Sequence, residues 1–303
     1  MLFRRMASWI FGSWLAWRLL GPEFSVRSRA PQTRPLHIAG RTVFVGDREF
    51  FVREVGPLHA PAIVLLHGWS FDGEMTYFNV IPELADRYRV IIPDNRGHGR
   101  SEWIRERHDV ADIADDVAGV LDAIHVKDAL VFGYSMGGMV AQELARRRPD
   151  LVSRLMLAAT AASPAIKRPK LFRASIFFGR TMTRISKKEF STISTFAMRR
   201  SDALDPEYTR WMWEGLMRRD PTLYYYTGDA MSRFDSRLWV GELAMPVKIL
   251  VTTNDQLMPV SEQRNLASFF PRESVVDIEG GRHESIMNRA DEYVKRIIEF
   301  QES

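Results

Sequence analysis

Gly133-Tyr134-Ser135-Met136-Gly137 places a serine between glycines at a spacing suited to nucleophilic chemistry. The residues before it, Ala129 to Phe132, form a short apolar run, and Met136 to Arg148 repeats apolar residues at helical spacing. The stretch therefore reads as a buried strand, a sharp turn and a helix, with Ser135 at the turn. Such a turn holds the serine in a strained conformation that projects its hydroxyl from the strand end, while small flanking residues let backbone approach without a Cβ clash. The first N–H groups of the helix then point to where negative charge forms on a carbonyl under attack, and Met136 N–H is the nearest candidate. The chemistry this suits is acyl transfer. The alternative reading is a glycine-rich turn with an incidental serine.

Composition narrows the field. The chain has 303 residues, 46% of them hydrophobic, enough for one large α/β domain or a core with an insertion. With no cysteine, thiol nucleophiles, cysteine-ligated zinc and disulfides are excluded, and no redox compartment is selected. The net charge of +4 is unevenly placed: residues 1–41 hold seven arginines against Glu23 alone, so the remainder is slightly acidic. Nothing in this pattern implies a nucleic-acid partner.

The elements around Ser135 follow from periodicity. Thr42 to Val45 and Glu49 to Val55 alternate about the turn signal Gly46-Asp47, which predicts an antiparallel hairpin at a sheet edge. Ala62 to Leu66, Val90 to Pro93, Ala129 to Phe132, Leu155 to Ala158, Val247 to Val251 and Val275 to Ile278 are continuous apolar runs, as in strands covered on both faces. Helical patterns lie between several of them, at Tyr77 to Tyr88, Val110 to Ile124, Met136 to Arg148, Glu262 to Phe270 and Asn288 to Phe300. This alternation predicts an α/β fold with a mainly parallel central sheet and helices on both faces. From Ser163 to about Leu238 no strand-like run appears, and the interval is too long for a loop. It reads as a helical cap inserted in the core, dividing the chain into residues 1–41, a core of 42–162 with 239–303, and a cap of 163–238. Phe172, Ile176, Phe177, Phe178, Phe190, Phe196, Trp211, Trp213, Leu216 and Met217 are available to pack the cap or line a pocket.

The order of these signals resembles the α/β-hydrolase superfamily over roughly residues 42–301. Four elements carry the resemblance: Leu65-Leu66-His67-Gly68-Trp69-Ser70 after the first core strand, Asp94-Asn95-Arg96-Gly97-His98-Gly99-Arg100-Ser101 after the next, the Gly-Tyr-Ser-Met-Gly-Gly turn, and the late His283. The resemblance implies that Trp69 N–H joins Met136 N–H in an oxyanion hole. It also implies that His67 and His98 order their loops rather than react.

The family's triad runs Ser, Asp or Glu, then His. His283 is the sole histidine C-terminal to Ser135 and follows the turn Gly280-Gly281 after a predicted strand, so it is the expected base. Val247 to Val251 runs into Thr252-Thr253-Asn254-Asp255-Gln256, placing Asp255 at the C-terminal edge of the sheet, where open α/β sheets gather their sites. Asp255 is the expected acid. Asp277, Glu279 and Glu284 are poorer choices, Asn254 would act only as a neutral acceptor, and Ala159-Thr160-Ala161-Ala162 offers no carboxylate at the other family position. The implied mechanism has His283 take the Ser135 proton, Ser135 attack an ester-like carbonyl, and water release the acyl group, with no metal or organic cofactor. A serine at this turn, where dehalogenases and epoxide hydrolases carry aspartate, argues against those branches.

Carboxylic-ester hydrolysis, with a lipophilic acyl group suggested by the aromatic cap and apolar N-terminus, leads the expectations for substrate. A carbon–carbon bond hydrolase of a dienoate, an acyltransferase, and a binding protein on a hydrolase fold remain alternatives.

The N-terminus carries Arg4 and Arg5, an apolar run with Trp9, Trp14 and Trp17, then Arg18 and Gly21-Pro22. As a helix, Met6 to Leu20 would span about 22 Å, short of the roughly 30 Å hydrocarbon core, with Arg18 costly inside it. An interfacial anchor holding the protein peripherally at a membrane fits better, helped by the basic tract from Lys167 to Arg200. A signal peptide for export to the envelope, or a disordered leader on a cytoplasmic protein, is the alternative.

Overall fold

The computed structural model describes residues 34–164, 169–185 and 187–303. The N-terminal apolar segment, and with it the proposed anchor, lies outside the described residues. The first elements are β1 (Gly40–Val45), β2 (Arg48–Val55) and β3 (Ala62–Leu66), followed by α1 (Gly73–Tyr77), α2 (Ile81–Ala85), β4 (Arg89–Pro93) and α3 (Val110–Ala123). Next come β5 (Ala129–Tyr134), α4 (Met136–Arg147) and β6 (Val152–Ala158). Four helices then follow among the described residues: α5 (Pro169–Ile185), α6 (Lys187–Arg200), α7 (Thr209–Met217) and α8 (Pro221–Arg233). The chain ends with β7 (Val247–Thr252), α9 (Val260–Ala267), β8 (Val275–Ile278), α10 (Ser285–Asn288) and α11 (Ala290–Gln301).

The strands form one eight-stranded sheet in the order β1-β2-β4-β3-β5-β6-β7-β8. β1 pairs antiparallel with β2 and β2 with β4, while all other neighbours are parallel. The hairpin thus supplies the edge, as its alternation predicts. All six residues of the central β5 are buried. Its side chains divide by strand period: Ala129 and Val131 join α3, α4 and α9 on one face, and Leu130, Phe132 and Tyr134 join α1, α2 and α11 on the other.

Two expectations change. Tyr77 to Tyr88 is not one helix, because Pro82 lacks the N–H that would continue the ladder and instead stands in the first turn of a separate α2. Residues expected in the basic linker also reach the core: Leu36 and Ile38 pack on it, and Arg34 donates to the buried Glu74 at 3.0 Å.

The inserted helices are tied to both faces of the sheet domain. Met198, Trp211, Met212 and Leu216 join one apolar cluster, while Ala230, Met231 and Phe234 join the other. Phe177, Phe178 and Phe196, by contrast, are exposed.

Strand and helix approach closely at the serine turn. A Cβ on Gly137 would lie 1.9 Å from Leu66 O, and one on Gly133 would lie 2.4 Å from Gly137 O. Gly137→Ala is therefore expected to overpack this junction and cost about 1–3 kcal/mol, seen as a lower denaturant midpoint. A midpoint matching the wild type would show that the junction relaxes freely.

Candidate active site

Ser135 stands between β5 and α4 with φ 55° and ψ −119°, a backbone region that side chains rarely adopt. The strain is held from both directions: Ser135 N–H donates to Ala158 O at 3.0 Å, and Gly138 N–H donates to Ser135 O at 3.0 Å. The hydroxyl lies at the C-terminal edge of the sheet, as its position in the turn predicts.

His283 arrives on the loop between β8 and α10. Its Nε2 lies 3.0 Å from Ser135 Oγ and its Nδ1 lies 2.7 Å from Asp255 Oδ2. Because an ionised carboxylate only accepts, Nδ1 carries the proton and donates it to Asp255, leaving Nε2 as the acceptor facing the serine hydroxyl. Tyr134, immediately before the serine, donates its hydroxyl to His283 O at 2.6 Å and so fixes the loop against β5.

Asp255 is buried after β7 and its two oxygens are crowded with donors. Oδ1 accepts from Leu257 N–H and Met258 N–H, both at 2.8 Å. Oδ2 accepts from Thr252 Oγ1 at 3.0 Å and Gln263 Nε2 at 3.2 Å besides the histidine. Gln263, on α9, also donates to Met258 O and accepts from Thr252 N–H, so it clamps the whole turn. The competing carboxylates stand elsewhere: Asp277 pairs with Arg264 at 2.5 Å, and Glu279 lies beside Thr253. Asn254 is exposed.

Tyr134, Thr252 and Gln263 escaped the sequence reading. A polar residue ending an apolar strand, followed eleven positions later by a glutamine on a helix's buried face, is the signal that could have found the latter two.

The loop after β3 comes close to the serine, since a Cβ on Gly68 would lie 3.5 Å from Ser135 Cβ. Among the described residues, neither Trp69 N–H nor Met136 N–H has a hydrogen-bond acceptor. His67 holds this loop: it donates Nδ1–H to Gly68 O and accepts Asn95 N–H at Nε2, both at 2.9 Å. Behind it, the buried Arg53 pairs with Asp94 at 2.8 Å and Glu74 at 3.1 Å, and Asp94 accepts Gly73 N–H at 3.0 Å. Removing one partner of such a cluster would strand a buried charge.

The match to the α/β-hydrolase fold family model runs over residues 61–290. The chain belongs to this family. Among relatives, it is 28% identical to the pimeloyl-[acyl-carrier protein] methyl ester esterase of Chromobacterium violaceum over 84% of this chain and 98% of that protein. It is 25% identical to the AB hydrolase superfamily protein YisY of Bacillus subtilis, over 84% of this chain and 95% of the relative. The fold also matches the crystal structure of a membrane phospholipase A with a TM-score of 0.73 and 21% identity, covering 99% of this chain and 97% of that one. Within the family fold, the serine turn, the His67 loop and the His283 loop all meet at one edge of the sheet.

Two buried histidines make this region sensitive to acid. Burial pushes His67 down to about 4, and burial followed by the nearby His67 pushes His98 down to about 3, from an ordinary 6.5. The folded protein keeps both neutral while the unfolded chain takes up protons below about pH 6.5. Their contribution to stability is therefore intact above pH 6.5 and lost progressively down to about 4 for His67 and about 3 for His98. The urea midpoint is expected to fall on acidification through this window, and to fall less steeply in His98→Gln. Equal slopes in the two proteins would remove His98 from this account.

Proposed function

We propose that the protein is a serine hydrolase that cleaves carboxylic esters through an acyl-enzyme. The observation that carries this reading is the continuous line from Asp255 through His283 to Ser135, at 2.7 Å and 3.0 Å. In this mechanism His283 Nε2 removes the hydroxyl proton as Ser135 Oγ attacks the ester carbon. Asp255 stabilises the resulting imidazolium and keeps the ring in its working tautomer. Trp69 N–H and Met136 N–H bind the oxyanion; one such donor is typically worth about 3 kcal/mol in the transition state. The imidazolium then protonates the departing alcohol, and a water activated by the same nitrogen releases the acid.

The helices α5 to α8 act as the cap. Tyr224 of α8 stacks on Trp69 with ring centroids 4.0 Å apart, so this helix covers the proposed oxyanion loop. Phe177 is exposed, and Trp213 is half-buried and donates Nε1–H to Thr192 at 3.1 Å within these helices.

Ser135→Ala and His283→Ala are each expected to lower kcat on p-nitrophenyl esters by roughly 10⁵- to 10⁶-fold, with the double variant no worse, because the two act as a unit. Asp255→Asn should lose about 10⁴-fold. A fluorophosphonate should label wild type at Ser135. Full activity in Asp255→Asn, or additive losses in the double variant, would overturn the assignment.

The protein is further proposed to sit at a membrane surface through its N-terminal segment. Three tryptophans within Met6 to Trp17, between arginines, suit the headgroup boundary. Among the described residues no helix is long and apolar enough to cross a membrane. The full chain should float with anionic liposomes while a chain beginning at Arg34 should not. Equal behaviour of the two would rule the anchor out.

A further inference from the structure

Arg219 stands in the short connection between α7 and α8, and its environment is unusual for a guanidinium. Its Nε–H donates to Leu216 O at 3.0 Å, but its Nη2 is buried without a hydrogen-bond partner. Aromatic faces surround it: the guanidinium carbon is 5.1 Å from the centroid of Phe190 and 5.9 Å from that of Tyr224. Among the described residues no carboxylate pairs with it. Adjacent Asp220 is committed elsewhere, accepting Thr222 and Leu223 N–H and pairing with Arg105 at 3.1 Å. Burial without a compensating anion pulls the guanidinium down to about 10, the opposite of the upward shift of the paired Arg148 and Arg233.

A second unsatisfied donor adjoins the same tyrosine. Trp69 stacks on Tyr224, and its Nε1 is buried without an acceptor. Arginine and indole nitrogens can only donate, and leaving either unmade in a buried site is costly. Two stranded donors flanking one aromatic ring, next to the loop that meets Ser135, call for an acceptor-rich group from outside the chain. A single uncompensated guanidinium balances one negative charge, which fits a carboxylate.

We propose that Arg219 is a subsite for a free carboxylate on the substrate, so that the preferred esters are half-esters of dicarboxylic acids. The assignment rests on the serine-hydrolase reading for its catalytic consequence. The carboxylate binds under the cap against Phe190 and Tyr224, and the ester carbonyl reaches Ser135. Arg219 touches no reacting atom and selects the substrate.

The test compares mono-p-nitrophenyl half-esters of four to eight acyl carbons with methyl-ended p-nitrophenyl esters of the same length. Wild type is expected to prefer the half-ester at its best length. Arg219→Gln should lower kcat/KM for that half-ester about 10- to 100-fold, mainly through KM, and leave the methyl-ended ester within about twofold. Arg219→Lys, which keeps the charge but loses the planar fork, should fall between them. Fluorophosphonate labelling of Ser135 at the wild-type rate in Arg219→Gln checks that the site is still built. No half-ester preference at any length, or equal losses on both esters, would overturn the subsite. A second arm needs no turnover: free glutarate, adipate and pimelate, added to Ser135→Ala, should raise its melting temperature, and adding Arg219→Gln should abolish the shift. If wild type neither labels nor hydrolyses any ester, the hydrolase reading fails while this arm still decides the carboxylate site. No shift with any diacid refutes it.

Discussion

Where α4 leaves the sheet, the peptide at Gly137 lies so close to Leu66 O that no side chain fits between them. The rest of the site depends on that contact. It brings the end of β3 and the start of α4 together, so the loop carrying Gly68 and Trp69 lies close to Ser135. The positive φ of Ser135 is the local cost, on the order of 1–3 kcal/mol. The buried β5, its pairing with β3 and β6, and the hydrogen bonds on either side of the serine offset it. A strained residue persists only when its surroundings leave it no alternative, and here six buried strand residues and a glycine-lined helix start supply that restraint.

Histidine and aspartate reach the serine by a different route. Neither belongs to a rigid element; each sits in a loop pinned by polar contacts to its neighbours. Asp255 is anchored by two backbone N–H groups of its own turn and by Thr252 and Gln263 from β7 and α9. His283 is anchored through its carbonyl by Tyr134. The hydroxyl that fixes the proposed base therefore comes from the residue next to the proposed nucleophile, so one strand end positions both groups. Loops secured this way combine freedom of sequence with a fixed geometry at one atom, which is what proton transfer between side chains requires.

The inserted helices bring polarity of a kind the core does not share. Their packing side chains Trp211, Met212 and Leu216 merge with the sheet domain, while Phe177 and Phe178 stay in solvent. Between these extremes lies the aromatic cluster of Trp69, Tyr224 and Phe190, with Arg219 held against it by cation–π contact in place of a carboxylate. Aromatic faces stabilise a buried cation only partly, by about 0.5–2 kcal/mol.

Much of this was written in local pattern. The apolar run located Ala62–Leu66 to the residue, because a strand covered on both faces must be apolar throughout and its ends are set by the next polar or turn residue. Gly-Tyr-Ser-Met-Gly marked the strained turn because only small residues tolerate it, and family chain order pointed to Asp255 and His283. Pro82, read as interior to a helix, instead begins one. What the sequence by itself could not supply is contact between distant residues. Nothing local says that Gln263 reaches back to Thr252 and Asp255, that Tyr134 holds a carbonyl 149 residues away, or that Phe177 faces water while Arg219 Nη2 is buried. Periodicity records which residues avoid water, since that depends on side-chain chemistry repeated along one element. Which polar groups find each other depends on where separate elements come to rest, and that the tertiary structure alone decided.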